Sequence, residues 1–169
     1  MTVAFTGTRA GMTENQQREL IEALNELKPV VAYHGNCIGA DTNFHTMIIA
    51  WRNVTGNKCL IEVYPCDIIN QQSTCCPTAD IINPIERPLV RNRLMVDRCD
   101  VLIACPRTME EELRSGTWAT IRYARKLKKR IVFLRPELST LEEIFDEDKT
   151  DGDTTGEERS SDAERDGAS

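Results

Sequence analysis

Nowhere does this chain reach the roughly 20 consecutive apolar residues that a membrane-spanning helix needs. Its opening segment, MTVAFTGTRAG, lacks the basic and long apolar regions of a secretory signal. Neither G-x-G-x-x-G nor G-x-x-x-x-G-K-[ST] occurs, which disfavours ordinary dinucleotide oxidoreductases and P-loop enzymes. Paired C-x-x-C spacings are also missing, although there are seven cysteines. The best zinc set that could be assembled is His34 and Cys37 with Cys66 and Cys75 or Cys76; without the paired spacing, no metal and no cofactor are expected. An odd cysteine count, with several in or beside apolar runs, fits reduced thiols in a cytoplasmic protein better than a disulfide framework. No internal repeat is present.

What is present divides at about residue 145. Residues 146–169 hold ten acids and three bases, with Ala as their one apolar residue type and no aromatic. Such a segment cannot bury enough surface to offset the cost of ordering its backbone, and reads as a disordered acidic tail. The overall charge of −6 belongs to that tail, because residues 1–145 carry 18 bases and 17 acids. The expected organisation is one ordered domain, 1–145, followed by the tail, 146–169.

Within the domain, short apolar runs rich in β-branched residues recur: TVAF (2–5), VVAY (30–33), LIEVY (60–64), VLIAC (101–105) and RIVFL (130–134). Continuous rather than alternating, they predict strands covered on both faces. Helical patterns lie between them. Thr13 and Gln16 have capping-box spacing ahead of Leu20, Ile21, Leu24 and Leu27. Further helices are predicted over 40–54, from about Pro88 to 99, over 117–129, and briefly over 139–147. The alternation predicts an α/β, Rossmann-like, doubly wound and mainly parallel sheet of about five strands with helices on both faces. The link 66–85 is too long for a plain connection and is expected to be functional.

In open α/β sheets, ligands bind beyond the carboxyl ends of the strands. Those ends read TGTRAGM, HGNCIGAD, YPCD and ACPRTMEEELRSGTW. Glycines and helix starts there suit an anion, through backbone amides and unsatisfied helix N-termini. The candidates are Gly7, Thr8, Arg9, His34, Gly35, Asn36, Gly39, Asp41, Tyr64, Ser115, Gly116 and Thr117. Asp41 could equally cap its helix or accept ribose hydroxyls.

The set GTRAGMT, HGNCIGAD, RPLVRNRLMVDRCDVLIACP and RSGTWATIRYARK resembles the SLOG superfamily over about residues 2–136. That group includes the lonely-guy phosphoribohydrolases, the DNA-processing protein A fold and small YspA-like proteins. The phosphoribohydrolases carry R-K-x-x-M, then A-L-P, then G-G-x-G-T-x-x-E. Arg91 to Met95 matches the first with Asn92 for Lys, Ala104-Cys105-Pro106 the second, and Ser115-Gly116-Thr117 the Gly-Thr step. The resemblance adds Arg91 and Asn92 to the ligand candidates and implies a homo-oligomer. Two departures stand out. Residues 107–114 lengthen the loop, and the catalytic Glu position is Thr120. The expectation is a binding module that holds a nucleotide or nucleotide-derived signal, ADP-ribose-like or cyclic, without turnover. The alternative is an N-glycosidase or phosphoribohydrolase using Arg91 with Glu110, Glu112 or Asp41. A nearly neutral domain argues against a nucleic-acid partner, despite the basic run 122–130.

Overall fold

The computed structural model describes residues 1–73 and 76–137. The helix expected over 139–147 and the acidic segment 146–169 lie outside the described residues, as does Cys75. Met1–Leu138 forms one compact unit.

Strand β1 (Thr2–Gly7) is the middle of the fold. It pairs in parallel with β2 (Val31–His34) on one side and β5 (Val101–Cys105) on the other. β2 continues to β3 (Leu60–Val63) and then β4 (Ile81–Ile82), while β5 continues to β6 (Arg130–Phe133), every pairing parallel. The order is β4-β3-β2-β1-β5-β6. The chain thus winds outward from β1 to β4, then crosses back to β5. This is the doubly wound Rossmann-like sheet that the apolar runs predict, with one more strand. β4 escapes prediction because it is two residues long, and its isoleucines are exposed at the sheet edge.

The side-chain alternation of each strand divides the core in two. Val3, Phe5, Ile61, Val63, Val101 and Ile103 pack with Leu20, Leu24, Phe44, Ile48 and Trp51 from α1 (Glu14–Leu27) and α2 (Ala40–Thr55). Ala4, Tyr33, Tyr64, Leu102 and Ala104 pack with Met95, Val96, Trp118 and Ile121 from α3 (Pro88–Arg98) and α4 (Gly116–Lys126). On α3 the buried residues are Arg91, Met95 and Val96, while the apolar Leu89 and Leu94 face outward. The helix turns its arginine inward at the expense of two leucines.

The capping box at α1 forms, with Thr13 Oγ1 accepting from the Gln16 amide and Gln16 Oε1 accepting from the Thr13 amide. The long link is partly structured, by two 3-10 turns (Ile69–Gln71 and Cys76–Thr78) and by β4. It folds back over the β2 end, where the Ser73 amide donates to the Asn36 carbonyl (2.8 Å) and the Ile38 amide to the Gln71 carbonyl (3.0 Å).

Candidate functional site

The reversal of winding places the switch point between β1 and β5, and a cavity of about 460 Å³ opens there. That volume is in the range of small-molecule sites. The β1 end supplies Gly7, Thr8 and Arg9, the β2–α2 turn supplies Cys37 and Asp41, and α3 supplies Arg91 and Asn92. The β5–α4 loop supplies Arg107, Glu112 and Arg114, and Ser115, Gly116 and Thr117 begin α4. The long link contributes Gln71. Four arginines therefore face two carboxylates across the lining.

Arg91 dominates the floor. It is only 5% exposed, yet its Nε has no hydrogen-bond partner. Its Nη2 donates to Cys37 Sγ at 2.9 Å. Gly35 makes its place, since a Cβ there would stand 1.2 Å from Arg91 Nη1. A buried guanidinium without a carboxylate partner and with a free N–H is costly unless an anion completes it. Asp41 does not neutralise it by contact, because its Oδ2 accepts from the Cys37 amide (3.0 Å) and it forms no ion pair within 4 Å. Burial raises the Asp41 pKa, against the opposing pull of Arg91 and of the Cys37 and Gly35 amides. Burial likewise pushes the Cys37 thiol up to about 11, against Arg91, so it stands as a neutral thiol.

Helix α4 aims its N-terminus at the same space. Ser115 is its N-cap, with Oγ accepting from the Trp118 amide at 3.3 Å. The amides of Gly116 and Thr117 have no acceptor inside the helix and carry its positive end. Nothing lies within 4 Å of the Cβ position at Gly116, which leaves room for a ligand atom. By contrast, the start of α2 is already used, because the Ala40 amide donates to the Thr8 carbonyl (2.9 Å).

The remaining sequence candidates stand outside the lining, each with another task. His34 is fully buried, and its Nδ1 accepts from the Asn36 amide (3.0 Å). Its Nε2 must then carry the proton, which it donates to His45 Nδ1 (2.8 Å), and His45 Nε2 donates to Thr78 Oγ1 (2.7 Å). Asn36, at φ 50°, ties the long link to the β2 end through Ser73. Gly35 and Gly39 are spacers for Arg91 and for the Arg9 backbone. Tyr64 is buried on the α3–α4 side, where its hydroxyl donates to Glu62 Oε1 at 2.8 Å and meets Arg98. Glu110 is exposed on the loop and does not line the cavity.

Thr120 is also withdrawn. Its Oγ1 donates to the Gly116 carbonyl (2.9 Å) and accepts from Asn92 Nδ2 (2.8 Å), locking α3 to α4. In the basic run, Arg122 and Arg125 both pair with Glu111, and Arg130 pairs with Glu26. No group of three or more potential metal ligands occurs among the described residues. Of the zinc candidates, His34 is committed to the Asn36 amide and His45, and Cys75 lies outside the described residues.

Sequence reasoning missed Arg107, Arg114 and Gln71. The available signal was position: Arg107 and Arg114 bracket the acidic loop directly after a strand end, where ligand groups gather.

A Rossmann-like α/β fold with an arginine-lined cavity at its switch point is the class these features define. The fold is similar to that in the X-ray structure of DNA processing protein A (DprA) from Streptococcus pneumoniae, with a TM-score of 0.54 and 15% identity over 78% of this chain. The match covers 49% of the DprA chain, so this protein spans about half its length. No family model matches the chain, and no curated protein matches it. None of the described helices is long and apolar enough to cross a membrane.

Proposed function

We propose that this cavity binds a nucleotide or a nucleotide-derived signal, ADP-ribose-like or cyclic, and holds it without turnover, as a sensor or a sequestering protein. The observation that carries the reading is Arg91, buried with an unpartnered Nε at a cavity onto which the α4 N-terminus also opens. An anionic group there would meet both the uncompensated guanidinium charge and the helix end. Absence of turnover rests on Thr120, which stands where the resembling hydrolases carry their acid and is spent on Asn92 and Gly116. On the same reading the protein works in the cytoplasm as a homo-oligomer. Native mass spectrometry of protein from its host extract tests this, by the mass of the retained ligand and of the assembly. Calorimetry with AMP and ADP-ribose should give binding that Arg91→Gln reduces at least about tenfold, the scale of a charged hydrogen bond. Unchanged affinity in that variant would refute the site.

One observation supports the hydrolase alternative. Glu112 reaches the cavity lining, with Oε1 accepting weakly from Thr108 Oγ1 (3.4 Å), and could serve as an acid beside Arg91. Release of free base from a nucleoside monophosphate, lost in Glu112→Gln, would establish that reading over the first.

A further inference from the structure

We infer that the loop 106–115 builds a second anion subsite in this cavity, so that the ligand carries two phosphate charges set apart across its sugar, as in a nucleoside 3′,5′-bisphosphate. The inference rests on the nucleotide reading above and names a class within it.

Arg18 meets Glu22 at 3.8 Å, while Arg87, Arg93 and Arg135 have no ion pair among the described residues and lie outside the cavity lining. Arg52, Arg98, Arg122, Arg125 and Arg130 each hold a carboxylate within 3.4 Å. Arg107 and Arg114 line the cavity, and among the described residues neither has an ion pair or a side-chain hydrogen bond. Their own loop is nevertheless acidic. Glu111 is drawn off by Arg122 and Arg125, Glu110 stays outside the lining, and Glu112 accepts from Thr108. Two arginines of the lining therefore have no ion-pair partner within 4 Å among the described residues, although Glu112 lines the same cavity, and a guanidinium grips phosphate by paired N–H groups.

Placement makes this a second subsite and not an extension of the first. Arg91 packs over the β2 end, against Gly35 and Cys37. Arg107 follows Pro106 directly beyond the β5 end. β1 runs between those strands, so the two ends are two strand spacings apart, about 10 Å. Arg9, held by Gln71 Oε1 at 2.8 Å, stands at the β1 end between them. A phosphate seated on Arg91 lies at the β2 end, and the phosphoryl groups of a diphosphate share a bridging oxygen and stay together. Phosphates on opposite sides of a ribose fit the spacing. The first anchor rests on a separate observation, because Arg91 lines the cavity buried and without a carboxylate partner among the described residues.

The test is calorimetry on the full chain, at fixed salt, with AMP, ADP and adenosine 3′,5′-bisphosphate. The bisphosphate should bind about tenfold tighter than AMP or more, with ADP close to AMP. Arg107→Gln/Arg114→Gln, two exposed substitutions that leave the core intact, should abolish that advantage by lowering bisphosphate affinity well beyond any loss in AMP affinity. Equal affinities for AMP and the bisphosphate would overturn the second subsite alone, as would a double variant that weakens both ligands alike. If none of the three bound, the nucleotide reading would fall and take this inference with it.

Discussion

Gly39 sits at φ 88°, and a Cβ built there would lie 2.3 Å from the Arg9 carbonyl oxygen. Gly39→Ala should cost about 2–4 kcal/mol, combining backbone strain with overpacking against a rigid main chain; a urea midpoint within 0.5 kcal/mol of the parent, read as free energy, would contradict this. Gly116 is the opposite case. Its φ is not positive and no atom lies near its Cβ position. Gly116→Asp should leave stability unchanged or slightly raised, since a carboxylate suits the first turn of a helix. It should nevertheless abolish nucleotide binding, by filling and charging the anion seat. Folded protein with retained affinity would remove α4 from the site. The two glycines look alike as letters in a strand-end turn. Gly39 serves close approach of two chain segments, and Gly116 serves open space, a difference set by neighbours distant in sequence.

At the scale of elements, the capping box of α1 reaches beyond its own helix. Gln16 Nε2 donates to the carbonyls of Pro106 (2.8 Å) and Leu134 (3.1 Å), tying α1 to the exits of β5 and β6. Thr13→Ala should cost about 1 kcal/mol, the usual loss of an N-cap. Gln16→Ala should cost more, about 2–3 kcal/mol, because two buried carbonyls lose their donor. It should also weaken ligand binding, because Pro106 leads directly into Arg107; thermal melts with and without adenosine 3′,5′-bisphosphate separate the two effects. The box itself was legible from Thr13 and Gln16 alone, being a local pattern. The tie to Pro106 was not, as it spans 90 residues. The same distinction holds for α3. Its extent followed from Pro88 and the apolar pattern, but packing decided which side chains turn inward, burying Arg91, Met95 and Val96 and leaving Leu89 and Leu94 exposed.

For the whole molecule, the buried pair His34 and His45 sets an acid limit. Burial holds both imidazoles below their ordinary pKa, His34 further so through His45 and Arg91. The unfolded chain takes up protons below about pH 6.5 while the folded chain resists. Stability is therefore full above that pH and declines as pH falls below it. Asp80 raises the His45 pKa somewhat, while Asp41, raised by burial, works in the opposite sense at lower pH. Urea midpoints should fall between pH 7.5 and 5.5. His45→Asn, which keeps an acceptor for His34 and removes one titrating ring, should fall less. A flat profile in the parent would contradict the neutral assignment.

The sequence by itself determined the strands, the helices and their alternation, hence a parallel sheet with glycine- and arginine-bearing turns at its carboxyl ends. Those are short-range patterns of burial and chain direction. Of the sequence candidates, Gly7, Thr8, Arg9, Asp41 and Ser115 to Thr117, with Arg91 and Asn92 from the resemblance, line one cavity. Only the tertiary structure decided which strand-end residues line the cavity. His34, Asn36 and Tyr64 were withdrawn into hydrogen bonds with partners from other segments. Arg107 and Arg114 were left facing the cavity because Glu111, their neighbour in sequence, pairs with two arginines of α4 instead. The physical reason is that a polar side chain's role depends on whether a partner satisfies it, and here the partners come from elsewhere in the fold.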